Sequence, residues 1–168
     1  MIEIFRQYLE IKDLDDFVEF KKPNVLCKVE ILDPPDFQLN KFFYKQIGKK
    51  HRWIDRLTWT DQIWFNYVNN KSVKTFILKE NNNLIGYFEQ IFNRERGEYE
   101  IAYFGVLEEY RQKGYGGYLL SEAIKIPFKM DAKRVWVHTC SLDHKNAIKN
   151  YLARGMKVFK EEKIKIPA

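Results

Sequence analysis

The chain has 168 residues and a mass of 20.3 kDa, room for one domain spanning residues 1–168 at roughly 100–200 residues per domain. Hydrophobic residues are 45% and charged residues 31%, too apolar for a disordered chain, and no apolar run is long enough to cross a bilayer. The formal charge of +6 is uneven: residues from Arg111 onward hold 13 Lys+Arg against 5 Asp+Glu, whereas the first 110 hold 16 against 18. A basic block of this kind suits a phosphate-bearing ligand, a nucleic acid or simply a solvated surface.

In chain order, Ile2 to Ile11 reads as a strand and Asn24 to Leu32 as another. Pro34-Pro35 breaks the chain, and Asp36 caps a helix bearing Phe37, Phe42, Phe43 and Ile47, closed by Gly48. A loop with His51, Trp53, Asp55, Arg56 and Trp59 leads to Thr60, the cap of a second helix with the stripe Ile63, Trp64, Tyr67 and Val68. Period-two segments at Thr75 to Lys79 and Leu84 to Phe92 flank Asn81-Asn82-Asn83, the pattern of a hairpin, and Glu98 to Val106 extends the meander. A glycine-bearing loop opens a helix from about Gly114. The strand Arg134 to Cys140, a helix from about His144 to Arg154 and a final strand through Ile166 complete the chain. The order ββααβββαβαβ predicts a mixed α/β sheet with crossover helices and one parallel strand pair.

Two cysteines, Cys27 and Cys140, make no disulfide framework, and no Cys/His spacing suits zinc, so no metal is expected. The N-terminus lacks a basic-then-apolar leader pattern, which predicts a cytoplasmic protein. The short apolar runs predict no membrane partner, and aromatics that fall in periodic apolar patterns read as core, which predicts no nucleic-acid partner.

The most informative stretch runs from Val106 through Arg111-Gln112-Lys113-Gly114-Tyr115-Gly116-Gly117. Three glycines between a strand and an apolar helix let backbone N–H groups face outward as an anion site, with Arg111 and Lys113 adding charge. Neither a Walker loop nor a dinucleotide fingerprint fits these spacings. Arg111, Gly114 and Gly116 do fit Arg/Gln-x-x-Gly-x-Gly/Ala, which resembles the acetyl-CoA loop of the GNAT N-acetyltransferase superfamily. Asn146 to Met156 is similar to that family's terminal helix, and the strand before it stands where the family's fifth strand splays away. Two residues depart from the pattern: Glu108 stands for the usual loop proline, and His144 for a common asparagine. The segment before Asn24 reads as an added N-terminal strand, and the short end after Gly155 as a reduced hairpin, leaving sheet order open and the assembly as monomer or homodimer.

The resemblance implies acetyl transfer from acetyl-CoA, the donor substrate, to a primary amine in a ternary complex. Backbone groups of Lys113 to Gly117, with Arg111, Gln112 and Asn146, would hold the pyrophosphate end, and Phe104 and Val106 the pantetheine arm. Tyr151 would protonate the departing thiolate, and Glu100 would serve as base. Glu98, Glu89, Tyr103, a water and His138 are weaker candidates for the proton path, and Cys140 reads as a packed thiol. Trp53, Asp55 and Arg56, with Glu89, would shape the acceptor site: aromatic faces and Asp55 for an ammonium, Arg56 for a carboxylate. That favours a small amine or amino-acid-like acceptor over a protein N-terminus or lysine, and over a domain that senses acyl-CoA without turnover. A competing possibility for the same loop is a clamp in which Asp55 pairs Arg56.

Overall fold

The computed structural model describes residues 1–168. Its strands are β1 (Ile2–Ile11), β2 (Cys27–Ile31), β3 (Val73–Glu80), β4 (Asn83–Asn93), β5 (Glu98–Val106), β6 (Arg134–Cys140) and β7 (Lys157–Ile166). The helices are α1 (Phe37–Gly48), α2 (Asp61–Val68), α3 (Tyr115–Lys129) and α4 (Ala147–Ala153). None is long and apolar enough to cross a membrane.

Local chemistry explains the boundaries. The Asp36 carboxylate accepts from the Leu39 N–H at 3.0 Å, and the Thr60 hydroxyl from the Ile63 N–H at 3.3 Å, so each residue caps the helix it precedes. Asn40, Phe43, Tyr44 and Ile47 recur at helical spacing and form the buried stripe of α1. The β3–β4 hairpin turns on Asn81 and Asn82, with Asn81 at φ +55°, a conformation asparagine tolerates. Two predicted starts move by three residues. The Asn24 side chain accepts from the Leu26 N–H and holds a turn, so β2 begins at Cys27. His144 Nδ1 accepts from the Asn146 N–H, and its carbonyl from the Ala147 N–H, so α4 begins at Ala147.

All seven strands form one sheet in the order β2-β3-β4-β5-β6-β1-β7. The N-terminal strand is therefore no edge appendage. It lies between β6 and β7, antiparallel to both, with Leu9 opposite Val137 on one side and Val158 on the other. β7 is not hydrogen-bonded to β6 and joins the sheet through β1. The main core packs α3 against one face of the sheet around Leu9, Phe88, Leu119, Leu120, Ile124 and Val137. A smaller cluster of Phe43, Ile47, Ile77, Tyr87 and Leu107 seats α1 on the opposite face.

One parallel pair exists, β5 with β6, and it spans only Glu98↔Arg134, Tyr99↔Val135 and Glu100↔Trp136. Past Glu100, β5 stays with β4 while β6 stays with β1, so the two strands diverge. Arg134 closes the narrow end, binding Glu98 at 3.1 Å and also Glu10. Glu98 is thereby committed to the sheet. On the β4 side, Glu89 opposes both Ala102 and Tyr103, a β-bulge that interrupts the ladder halfway along β5.

Candidate active site

A cavity of about 1120 Å³ fills the wedge between β5 and β6 and reaches both faces of the sheet. Phe104 and Val106 line it where β5 has lost its neighbour, so that edge of the strand offers backbone donors and acceptors to an extended ligand.

At one mouth of the cavity stands the start of α3. Gln112 at φ +62° and Gly114 at φ +87° turn the backbone so that the N–H groups of residues 112–117 find no acceptor within the chain. Gly114 is required there because a left-handed backbone strains any residue with a Cβ. Six unpaired donors at a helix start are an anion cradle. Arg111, Gln112, Gly116 and Gly117 line the cavity beside it. The Lys113 and Tyr115 side chains do not: the Tyr115 hydroxyl turns away to donate to Glu80 at 2.8 Å, a bond that pushes it up to about 12. Asn150 steadies the cradle, its amide donating to the Gly116 carbonyl at 3.1 Å. Phe20 covers it, and the Arg154 guanidinium lies 5.1 Å over the Phe20 ring. No sequence signal marks Phe20, Asn150 or Arg154, because they reach the cradle from elsewhere in the chain, Phe20 from the segment after β1 and the other two from α4 and its C-cap.

Deeper in the wedge, Tyr151 is 5% exposed and borders the cavity, its ring 6.3 Å from that of Phe104. Burial, helped by the charge of Asp143, holds its hydroxyl far above the usual tyrosine range, so it keeps its proton. Asn146 borders the same space at the start of α4, where its side chain makes no cap.

On the α1–α2 side, Glu100, His138 and Cys140 line the cavity. Burial and the nearby Glu89 charge raise the Glu100 pKa, which makes it a stronger base than a surface carboxylate. Burial, then Arg6, lowers that of His138, leaving a neutral imidazole. His138 has Tyr8 and Trp136 as tilted ring neighbours, at 5.6 and 6.5 Å between centroids, and its side chain makes no hydrogen bond within the protein. Burial raises the Cys140 thiol and keeps it protonated, in line with a packed thiol.

The loop before α2 departs furthest from expectation. Arg56 is 5% exposed and Glu89 0%, and they form a bidentate ion pair at 2.8 and 3.0 Å. Glu89 also accepts from Asn40 at 2.8 Å and Tyr67 at 2.7 Å. The Arg56 guanidinium lies over Tyr67 at 4.2 Å, Tyr103 at 4.3 Å and Trp59 at 4.8 Å. Burial opposes its charge, but the Glu89 carboxylate outweighs that and holds its pKa above the ordinary value. The aromatic box thus contains the chain's own cation, and Arg56 has no fork left for an acceptor's carboxylate. Glu89, equally committed, is unavailable as a base or an acceptor contact. Asp55 does not pair Arg56 either; it accepts from the Tyr44 and Tyr103 hydroxyls, each at 2.8 Å. Trp53 packs on Tyr103, their ring centres 4.7 Å apart, and both border the cavity. The same loop roofs the wedge: His51 Nδ1 donates to the Leu142 carbonyl at 3.1 Å, and Arg111 donates to His51 Nε2 at 3.3 Å.

Similar architecture occurs in solved structures. A GCN5-related N-acetyltransferase from Sphaerobacter thermophilus is 16% identical with a TM-score of 0.70, the match covering 94% of this chain and 49% of that one. A functionally unknown conserved protein from Staphylococcus epidermidis is 14% identical with a TM-score of 0.65, covering 96% and 60%. An aminoglycoside acetyltransferase from an uncultured soil metagenomic sample is 13% identical with a TM-score of 0.66, covering 79% and 90%. The chain therefore spans about half to three-fifths of the length of the first two proteins. No curated protein sequence matches it. The acetyltransferase (GNAT) family model matches residues 37–156, from the first residue of α1 to the residue after Gly155, and the chain belongs to that family.

Proposed function

We propose that this protein transfers an acetyl group from acetyl-CoA to the primary amine of a small molecule. The observation that carries the reading is the row of unpaired N–H groups at residues 112–117, set at the mouth of a wedge whose β5 edge lacks a neighbouring strand. A pyrophosphate suits those donors, and an extended amide-bearing arm suits that edge. Acetyl-CoA would supply the activated acyl thioester.

The chain's own groups supply the rest. The cradle and Asn150 fix the anionic end, while Phe20 and Arg154 shield it. Glu100, made more basic by burial, takes the proton that an ammonium must lose before its nitrogen can attack, directly or through a water. The bulge at Ala102 and Tyr103 interrupts the ladder on the cavity wall, and a backbone N–H freed there would serve as donor to the negative charge that develops on the thioester carbonyl. Tyr151 gives its proton to the leaving thiolate. The roof held by His51 and the paired Arg56 and Glu89 favours a compact acceptor over a protein tail.

Calorimetric titration of acetyl-CoA into the wild type and Gly116→Glu tests the cradle. At Gly116 an added Cβ meets nothing nearer than Asn150 Nδ2 at 3.8 Å, so the variant should fold and place a carboxylate among the donors. Saturable binding by the wild type, weakened at least about a hundredfold in the variant, is expected where an anion would meet like charge. Equal affinities would remove the cradle from the mechanism, and absence of wild-type binding would overturn the reading.

A further inference from the structure

β1 brings to the acceptor side of the cavity one residue to which no role has been given. Arg6 lies on the sheet face that carries Ile4 and Tyr8, opposite Cys140 on β6 and Glu162 on β7. It lines the cavity together with Ile4, His138 and Cys140. Its Nε atom is buried with no hydrogen-bond partner, and its side chain forms neither a hydrogen bond nor an ion pair. Of the other arginines on the acceptor side, Arg56 is closed by Glu89 and Arg52 donates to the Pro167 carbonyl at 3.1 Å, while Arg134 on the same sheet is held by Glu10 and Glu98. The nearest carboxylate across the strands, Glu162, accepts instead from the Tyr8 hydroxyl and has Lys160 Nζ 3.6 Å away.

A partly buried guanidinium with no hydrogen-bonded anion loses hydration and gains only the through-space attraction of Glu162 in return, so folding alone gives little reason to place it there. An anionic ligand does. We propose that Arg6 is the anchor for a carboxylate on the acceptor, making the substrate class an amino acid or other amino-carboxylate, a conclusion that rests on the cavity being the acceptor site of the transfer proposed above. Glu100 is opposite Trp136, and Arg6 opposite Cys140, four residues on, about 13 Å further along β6 at about 3.3 Å per residue. The two charges stand at separate ends of the chamber, suiting an ammonium at the Glu100 end and a carboxylate at the Arg6 end. One guanidinium balances one carboxylate. A phosphate dianion would leave one charge unbalanced by Arg6 in a chamber already lined by Glu100, Asp55 and Asp143, with Glu162 opposite Arg6 on β7.

The test is direct binding, independent of turnover. Glycine, β-alanine and 6-aminohexanoate, each beside its own carboxamide, and phosphoethanolamine are titrated into wild type, Arg6→Gln and Arg6→Lys by ligand-observed NMR. At least one acid should bind the wild type roughly tenfold to a hundredfold more tightly than its amide, the scale of a charge-assisted hydrogen-bonded pair. Arg6→Gln should abolish that preference while leaving amide binding unchanged, and Arg6→Lys should restore part of it. The melting temperature of Arg6→Gln should equal or exceed the wild-type value, since an unpaired buried charge is removed. A purely structural Arg6 would lower it. Equal binding of every acid and its amide, no binding by any acid, a preference for phosphoethanolamine, or selectivity surviving in Arg6→Gln would each overturn the proposal. Acid selectivity without acetyl-CoA binding would instead overturn the transfer reaction and leave the Arg6 site standing.

Discussion

Tyr151 and Glu100 draw opposite benefits from the same burial. A low-dielectric wall disfavours charge on both, so the tyrosine keeps its proton, as the proposed general acid must, and the carboxyl becomes a better proton acceptor, as the proposed base must. Tyr151→Phe should lower kcat by about 10²- to 10⁴-fold, the usual scale of general acid–base catalysis, with acetyl-CoA affinity unchanged by calorimetry. An undiminished kcat would remove Tyr151 from the chemistry. For Glu100, kcat/KM should fall as the pH drops through its raised pKa, and Glu100→Gln should lose that limb. A limb that persists in Glu100→Gln and vanishes in His138→Asn would move the base to the neutral imidazole. Stability follows the same sign. The folded pKa of Glu100 lies above the unfolded value of about 4.3, so its contribution to stability is fully present below that value and lost as the pH rises through the folded one. Glu100→Gln should therefore melt higher than the wild type at pH 8, with the difference gone at pH 4. At this scale the sequence named Tyr151, Glu100 and the glycines, because each belongs to a short motif or strand. For Arg56 the sequence offers an acceptor's carboxylate or the adjacent Asp55 as partner, whereas Glu89, the partner it has, lies 33 positions away.

At the scale of elements, the loop before α2 is a clamp closed around one buried residue, Arg56. Arg56 ties it to β4 through Glu89, Asp55 to α1 and β5 through two tyrosine hydroxyls, and His51 to the β6–α4 turn. Breaking a buried ion pair from one side leaves a charge without compensation, so Glu89→Gln or Arg56→Met should each cost about 3–5 kcal/mol, read by denaturant titration. Mutating both to apolar residues should recover part of that loss; a double variant as weak as the sum of the singles would mean that the two act independently. A second tie joins the segment after β1 to the end of α4. Gly155 sits at φ +98°, and a Cβ there would stand 1.9 Å from the Asp16 carbonyl oxygen. Gly155→Ala should therefore destabilise by more than the ~1 kcal/mol expected of strained backbone alone, displacing the segment that carries Phe20 over the cradle. The helix caps Asp36 and Thr60 were legible because capping is local chemistry. The starts of β2 and α4 were not, since side-chain turns at Asn24 and His144 compete with regular structure in ways that composition does not show.

For the whole molecule, the decisive feature is the place of β1. The N-terminal strand joins β7 to the rest of the sheet, so the first and last strands form the sheet's outer limb together. Leu9, 0% exposed in the main core, should behave as a central residue: Leu9→Ala should cost about 2–5 kcal/mol, and the β1 amides should exchange with the slow core. Fast exchange of β1 with slow exchange of β3 to β5 would make the limb a separate, weaker unit. The sequence by itself determined the order of elements, the caps and the glycine cradle, because periodicity, capping and left-handed turns depend on neighbours within a few residues. The buried faces of α1 and α2 were legible only in part, since Phe42 and Ile63 are exposed. Only the tertiary structure decided that β1 lies between β6 and β7, that β5 and β6 part after Glu100, that Arg56 is spent on Glu89, and that Arg6 enters the cavity without a partner. Strand order and charge pairing join residues tens to more than a hundred positions apart, and which charge meets which is settled only when burial forces each one to find a partner or remain without one.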